Sequence, residues 1–319
     1  MTLAPSPSAP PATKGMDGQA RPAPGEQQRR RATPPAPLPR RIAGSALLTL
    51  AVCMLGFAGW LALGSRLHYD RAQHDTYASF RVNLAQGTAP TGPTDPNNSQ
   101  RLLALGTPVA VLSIPQIGLR AVVLQGTTGQ VLENGPGHLR DTPLPGQPGV
   151  SVIYGRRAIY GGPFSRLPAL SPGSPITVTT GQGVASYRIL DVRRPGNPAP
   201  TPLTAGKGRL TLITADGAPF APAGMLYVDA DLTSKPQPAP AMVLSAGNLS
   251  PAENGMGTDL QAWVPLVLWG QLLLLAAGAV SWSRHRWGRW QAWLVGVPVL
   301  GFVGLSVIDE VTRLLPNLM

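Results

Sequence analysis

The sequence predicts a mainly β domain that is attached to three membrane-spanning helices. Seven short apolar runs, each bounded by Pro or Gly, lie between Val109 and Leu232. Runs of this kind, without long helical patterns between them, are typical of one β-barrel or sandwich. One uncharged apolar segment precedes this region and two follow it. Each segment is long enough to cross the hydrocarbon core of a bilayer.

The runs that we interpret as strands are VAVLSI, AVVL, VSVIY, PITVTT, ASYRIL, RLTLIT and MLYVDADL. The RLTLIT run alternates apolar and polar residues up to Ala215 and then breaks at Asp216 and Gly217. This pattern predicts a half-buried strand that ends in an exposed turn. A strand end on a rigid sheet suits a nucleophile, but alanine has neither a lone pair nor an acidic proton. The position best placed for chemistry therefore cannot perform it.

Charge and composition argue for a membrane protein. The chain has 26 Lys and Arg against 15 Asp and Glu, while only 13% of its residues are charged. Basic residues cluster in 1–41 and in 284–289, beside apolar segments, which is the positive-inside pattern. Because no nucleic-acid-binding motif accompanies these clusters, we expect no nucleic-acid partner. The single cysteine, Cys53, excludes an intramolecular disulfide. We expect neither a metal nor a cofactor.

The pattern divides the chain into seven segments. A disordered, basic, Pro-rich tail is expected first, because it has too few large apolar residues to bury. A transmembrane helix, a stalk helix with a linker, the barrel, a tether and two transmembrane helices follow. In chain order the predicted bounds are 1–41, 42–63, 66–107, 108–233, 234–261, 262–283 and 290–308.

The basic turn RHRWGR between the last two helices predicts the topology. Positive residues stay in the cytoplasm, so this turn and residues 1–41 are expected on the cytoplasmic side of the plasma membrane. The barrel and the C-terminus are then extracellular. We also expect the helical hairpin to offer faces to a membrane protein partner.

Five runs in a fixed order carry a family resemblance. They are SIPQIGL, GPGHLRDTPLPGQPG, SVIYGRR, GGPFSRL and RLTLIT. In this order they resemble the signature runs of sortases, in particular the class E-like sortases of high-GC Gram-positive bacteria. The resemblance implies an eight-stranded barrel on the outer face of the membrane. It also implies a relation to enzymes that cut a sorting-signal peptide with a cysteine thiolate and transfer the acyl group to an amine.

That chemistry uses a cysteine, a histidine and an arginine, and the resemblance maps them onto three positions of this chain. The histidine maps to Arg156, the cysteine to Ala215 and the arginine to Met225, or to Gly224 if the loop aligns one residue differently. We expect Arg156, Ala215 and Met225 to meet at one cleft. Arginine cannot act as a base near neutral pH, and methionine has no donor. Since the only cysteine lies outside the domain, an ordinary sortase mechanism is excluded.

The preferred hypothesis is a sortase-like pseudoenzyme that serves as a binding or assembly module at the cell envelope. Possible ligand-binding residues are Arg156, Arg157, His138 and Asp216. Their ligand could be a sorting-signal peptide, a wall polymer or a lipid headgroup, since guanidinium groups bind carboxylates and phosphates. The plainer alternatives are a solvated arginine face, which would include Arg193 and Arg194, and a His138 that holds its own loop by hydrogen bonds.

The rival hypothesis is an active transpeptidase or peptide hydrolase with a non-standard set of residues. Thr214, Asp216 and His138 are the candidates for such a set. A hydroxyl without an adjacent base is a poor nucleophile, and strand alternation places Thr214 on the opposite side from Ala215. The sequence therefore favours the binding module.

Overall fold

The computed structural model describes residues 55–56, 59–96, 98–218, 221–241, 244, 246–255, 257, 262–286, 289–314 and 316–319. These residues belong to one compact unit, Ala51–Met319. The predicted tail 1–41 and most of the predicted helix 42–63 lie outside the described residues.

Eight strands close into a barrel, which confirms the predicted mainly β fold. Strands β1 (Thr94–Asp95) and β2 (Asn98–Leu102) pair separately, in the predicted linker. The barrel follows the order β10-β8-β7-β3-β4-β5-β6-β9. Its strands are β3 (Pro108–Ile114), β4 (Leu119–Gln125), β5 (Gly137–His138), β6 (Gly149–Tyr154), β7 (Pro175–Thr180), β8 (Gly183–Arg193), β9 (Gly208–Ala218) and β10 (Ala221–Leu232).

Seven of these strands correspond to the seven runs of the sequence, and β5 is the eighth. With two residues, β5 is too short to show a period of two, so no pattern could predict it. It pairs parallel with β4 and antiparallel with β6, and this pairing helps to close the barrel. The core fills the inside with apolar residues of alternate strand positions, among them Leu210 and Leu212 of β9 and Leu226 and Val228 of β10.

Strand β9 corrects two predictions. It runs to Ala218, so Ala215 is not at a strand end, because the β9–β10 hairpin continues the ladder past Gly217. Gly217 has a φ of 97° beside an irregularity in the register, a conformation that glycine adopts without strain. The strand is also buried on both faces from Gly208 to Ala215, and not half-buried. Other parts of the chain cover its outer face, and a periodicity of two cannot reveal that cover.

Helix α1 (Ser65–Gln86) begins near the predicted stalk and packs along the barrel. Phe80 is fully buried in a cluster with Val111 and Val122. The Gln73 amide donates to the carbonyls of Val122 and Asn134, and its oxygen accepts from the Val122 N–H at 2.7 Å. The segment is therefore part of the folded domain, and not a free stalk. A second helix, α2 (Gly129–Asn134), lies between β4 and β5.

The chain after the barrel returns to it before it reaches the last helices. Glu253, at the end of a 3-10 turn (Pro251–Glu253), is 1% exposed and forms a two-point ion pair with Arg140. The Glu253 carbonyl also accepts from Thr127 Oγ1 at 2.6 Å. A part of the predicted tether thus packs on the barrel.

Two apolar helices, α3 (Trp263–Arg286) and α4 (Arg289–Arg313), close the fold. Both are long and apolar enough to cross a membrane, and they are the two candidate spans among the described residues, where three were predicted. They pack on each other through Gly296, where an added Cβ would lie 2.7 Å from Val280. Both extend into the polar residues that flank the predicted spans.

Candidate functional site

Ala215 lies in a closed apolar cluster on the outer face of β9. Its Cα pairs across the hairpin with Met225 of β10, so the structure brings these two predicted positions together. We name the surrounding set the Ala215 cluster; its members are Leu132, Ile213, Ala215 and Leu318, with Val152, Tyr154, Met225 and Tyr227 packed against them. Because Ala215 is 1% exposed, the position that maps to the nucleophile is a packed methyl group without access to solvent.

The parallel pairing of β6 with β9 places the chain after Tyr154 beside this cluster. The Gly155 N–H donates to the Ile213 carbonyl at 3.0 Å. Arg157 then contacts the site twice: Nη1 donates to the Ala215 carbonyl at 2.9 Å, and its N–H donates to the Leu318 carbonyl at 3.0 Å. Arg157, and not Arg156, is the arginine that touches Ala215.

Arg156 is fully buried against α2. Its Nη2 donates to the Gly129 carbonyl at 3.0 Å and lies 3.6 Å from Glu133 Oε1. The guanidinium carbon is 4.9 Å from the centre of the Tyr160 ring. Burial lowers the pKa of Arg156, and the Glu133 carboxylate opposes that shift. The alternative of a solvated arginine face is therefore wrong at this position.

Arg193 and Arg194, two further arginines of the predicted positive face, also have anionic partners. Arg193 donates to Asp229, whose carboxylate is 1% exposed and also accepts from Thr211 Oγ1 at 2.8 Å. Arg194 lies 3.4 Å from Asp216, in a pair that is partly open to solvent and so contributes little stability. Asp216 is thus engaged with Arg194 and does not join Arg156.

His138 lies in β5, is 1% exposed, and contacts its surroundings through both ring nitrogens. Nδ1 is 3.0 Å from Gln125 Oε1, and Nε2 is 3.0 Å from the Pro143 carbonyl and 3.2 Å from Thr142 Oγ1. Burial lowers the pKa of His138 to about 4, so the ring is neutral near pH 7. A neutral ring has one N–H, which suits the Pro143 carbonyl if the Gln125 amide turns its NH₂ toward Nδ1. This geometry holds the loop that follows β5.

Thr214 is fully buried on the side of β9 opposite to Ala215. Its hydroxyl donates to the Gly155 carbonyl at 2.8 Å. A hydroxyl that donates to a backbone carbonyl has no base to take its proton. The arrangement therefore gives Thr214 a role in fixing the end of β6.

Sequence reasoning missed Tyr160, Asn317 and Leu318, which complete the site. Tyr160 has a φ of 50°, which is uncommon for a non-glycine residue. Its N–H donates to Ser65 Oγ, and its hydroxyl lies 3.0 Å from Thr312 Oγ1. These contacts join the start of α1 to the end of α4. They span 95 and 152 positions of sequence, so no local pattern could predict them.

Comparisons with known proteins agree with this fold and these motifs. The Sortase domain family model matches residues 112–232. Sortase D of Bacillus subtilis is 22% identical over 148 residues, which cover 46% of this chain and 73% of that protein. The solved sortase E from Streptomyces avermitilis is 30% identical and covers 48% of this chain and 100% of its own, with a TM-score of 0.36. A Clostridium perfringens Sortase D5 transpeptidase is 22% identical and covers 51% and 99%, with a TM-score of 0.42. The chain therefore belongs to the sortase family.

Proposed function

We propose that this protein is a membrane-anchored, extracellular member of the sortase family that has lost transpeptidase chemistry and acts as a binding or assembly module at the cell envelope. One observation carries the proposal. The position that maps to the catalytic cysteine is Ala215, a buried methyl group, and its partners Arg156 and Met225 supply neither a base nor an exposed oxyanion donor. The finer likeness to class E-like sortases is part of this proposal and is supported by the five ordered runs of the sequence.

The contacts of Tyr160 support a site close to the membrane. The start of α1 at Ser65 and the end of α4 at Thr312 both meet this residue. If the predicted helix 42–63 and α4 cross the bilayer, both leave it beside the Ala215 cluster. The hairpin turn then lies on the opposite, cytoplasmic side, as its basic residues require.

The ligand that suits this site best is a peptide. The outer face of β9 has apolar contacts through Ile213 and Ala215, and at its edge the Arg157 N–H donates to a backbone carbonyl, that of Leu318. A peptide has apolar side chains that can pack on Ile213 and Ala215, and backbone carbonyls that can accept from the Arg157 N–H. A sorting-signal peptide is the ligand class that the family indicates. A wall polymer is less suited, because Arg156, Arg193 and Arg194 already face carboxylates and the Arg157 guanidinium donates to the Ala215 carbonyl.

The rival hypothesis is an active transpeptidase or hydrolase that uses other residues. The described geometry argues against it. His138 uses its nitrogens within its own loop, and the Thr214 hydroxyl donates to a carbonyl. Neither side chain belongs to the Ala215 cluster.

A peptide-cleavage assay tests the proposal. We expect the purified full-length chain in detergent micelles to cleave a fluorogenic sorting-signal peptide, in the presence of an amine acceptor, no faster than a blank without protein. An active sortase serves as the positive control. Cleavage above the blank that disappears in a folded His138→Ala or Thr214→Ala variant would contradict the proposal and support the rival enzyme.

A further inference from the structure

Residues 317–319, which follow α4, are buried although they carry no local pattern that predicts it. Asn317 is 1% exposed, Leu318 is fully buried and Met319 is 6% exposed. Short polar or mixed segments after a helix remain mobile unless specific contacts hold them. The contacts of this segment therefore show what the site beneath it can recognise.

The Asn317 side-chain amide is held by backbone carbonyls. Its Nδ2 lies 2.7 Å from the Ala252 carbonyl, 2.9 Å from that of Asn254 and 3.4 Å from that of Thr127. The Asn317 N–H also donates to the Gly257 carbonyl at 3.1 Å. Carbonyl oxygens only accept, so this pocket selects an NH₂ group.

Gly129 provides the space on the other side of Asn317. A Cβ added at Gly129 would lie 3.0 Å from Asn317 Oδ1 and 3.7 Å from Arg156 Nη2. The amide therefore sits close against the first turn of α2, on the same side of Gly129 as the buried Arg156 guanidinium, although Asn317 Oδ1 itself accepts no hydrogen bond from the described residues. Asn317 and Arg156 are therefore both buried beside Gly129.

Leu318 fills the Ala215 cluster directly. Its side chain belongs to the same buried set as Leu132, Ile213 and Ala215, and its carbonyl accepts from the Arg157 N–H. Gly255 packs against the outer side of the Ala215 cluster. A Cβ added there would lie 3.0 Å from Leu318 Cδ1, 3.2 Å from the Tyr154 ring and 3.4 Å from the Met225 sulfur.

We propose that the outer face of β9, together with the adjacent backbone carbonyls of Thr127, Ala252 and Asn254, forms a peptide-binding site that recognises a side-chain amide followed by a large apolar residue, and that the chain's own Asn317–Leu318 occupies it in cis. A peptide of the same chemistry then binds in trans only when this segment leaves. The apparent affinity for such a peptide is reduced by the fraction of molecules in which the site is open. The proposal deepens the binding role proposed above and rests on it.

A thiol introduced at the site reports its occupancy. The probe is the full chain with Cys53→Ser and Ala215→Cys, and the measurement is the rate of alkylation by a maleimide. Adding Leu318→Asp places a charge in the apolar cluster, so the segment should leave and alkylation should rise about tenfold or more. Asn317→Ala removes the amide contacts without adding a charge and should raise the rate less. Val184→Asp, at a residue 59% exposed on β8, is the matched control and should not change it.

Binding in trans provides the second arm. A labelled peptide of residues 312–319 should bind the Leu318→Asp chain about tenfold or more tightly than the unmodified chain, and a peptide with Asn317→Ala should lose about tenfold of that affinity. Pulse proteolysis verifies that each variant chain remains folded. Unchanged alkylation in folded Leu318→Asp and Asn317→Ala chains, or equal peptide affinity for the unmodified and Leu318→Asp chains, would overturn the proposal. Because neither arm measures turnover, these results are independent of the peptide-cleavage assay.

Discussion

Replacing Arg156 by methionine is expected to lower the free energy of unfolding by about 3–5 kcal/mol, because it leaves a buried carboxylate without its cation. The carboxylate is that of Glu133, which lies 3.6 Å from Arg156 Nη2 and is itself 8% exposed. The substitution also removes the hydrogen bond to the Gly129 carbonyl and the contact with the Tyr160 ring. Urea titrations of the full chain in micelles, read by pulse proteolysis, measure the change.

Two variants separate this effect from a general loss of packing. Arg156→Met with Glu133→Gln removes both charges and should restore most of the lost stability, since replacing a whole buried pair is often neutral. Arg157→Met, at the next position, removes one hydrogen bond to the Ala215 carbonyl and should cost about 1 kcal/mol. An Arg156→Met chain as stable as the Arg157→Met chain would show that the buried pair is not structural.

Acidification is expected to destabilise the barrel through His138. The pKa of a histidine in the unfolded chain is 6.5, and burial lowers the pKa of His138 to about 4. Between these values the unfolded chain binds more protons than the folded one, so stability increases with pH. The His138 contribution is fully present above pH 6.5, and about 3 kcal/mol of it is lost as the pH falls to 4.

Comparing the pH dependence of two chains separates the His138 contribution from that of carboxylates, which take up protons in the same acidic range. His138→Gln keeps an amide that can contact the Pro143 carbonyl but cannot take up a proton in this range. Its free energy of unfolding should fall less between pH 6.5 and 4 than that of the unmodified chain, measured by the same proteolysis. His74→Gln, at an exposed side chain of α1, is the matched control. Equal pH dependence of the unmodified and His138→Gln chains would contradict a buried neutral ring.

The barrel could be predicted from the sequence because its strands carry local signals. Seven runs alternate or continue in apolar residues between Pro and Gly, and each of them forms a strand. The end of β9 could not be predicted, because Asp216–Gly217 signals a turn while cross-strand pairing with β10 carries the ladder past it. The hydrogen-bonded pairing of β9 with β10 therefore overrides the local preference of Asp216–Gly217 for a turn.

The site could be predicted only in part, for a similar reason. Ala215 and Met225 come together through adjacent strands, whose pairing follows from the hairpin. Arg156 was mapped to the cleft, with a solvated arginine face as the alternative, because arginine is rarely buried without a partner. That partner, Glu133, is 23 positions earlier on α2. The cover of the site by Leu318 depends on a contact between β9 and the segment after α4. Periodicity and motif spacing contain no information on such a contact.

The Ala215→Cys variant, in the Cys53→Ser background, tests most directly whether this cleft has lost its chemistry or only its nucleophile. An unperturbed thiol has a pKa of about 8.5, so only a few per cent is thiolate at neutral pH without a proton partner. Arg156 cannot supply that partner, and Leu318 covers the position. Intact-protein mass spectrometry after incubation with a sorting-signal peptide should therefore show the unmodified mass and no acyl adduct. An adduct that forms on this cysteine, with peptide cleavage at a rate like that of an active sortase, would contradict the account.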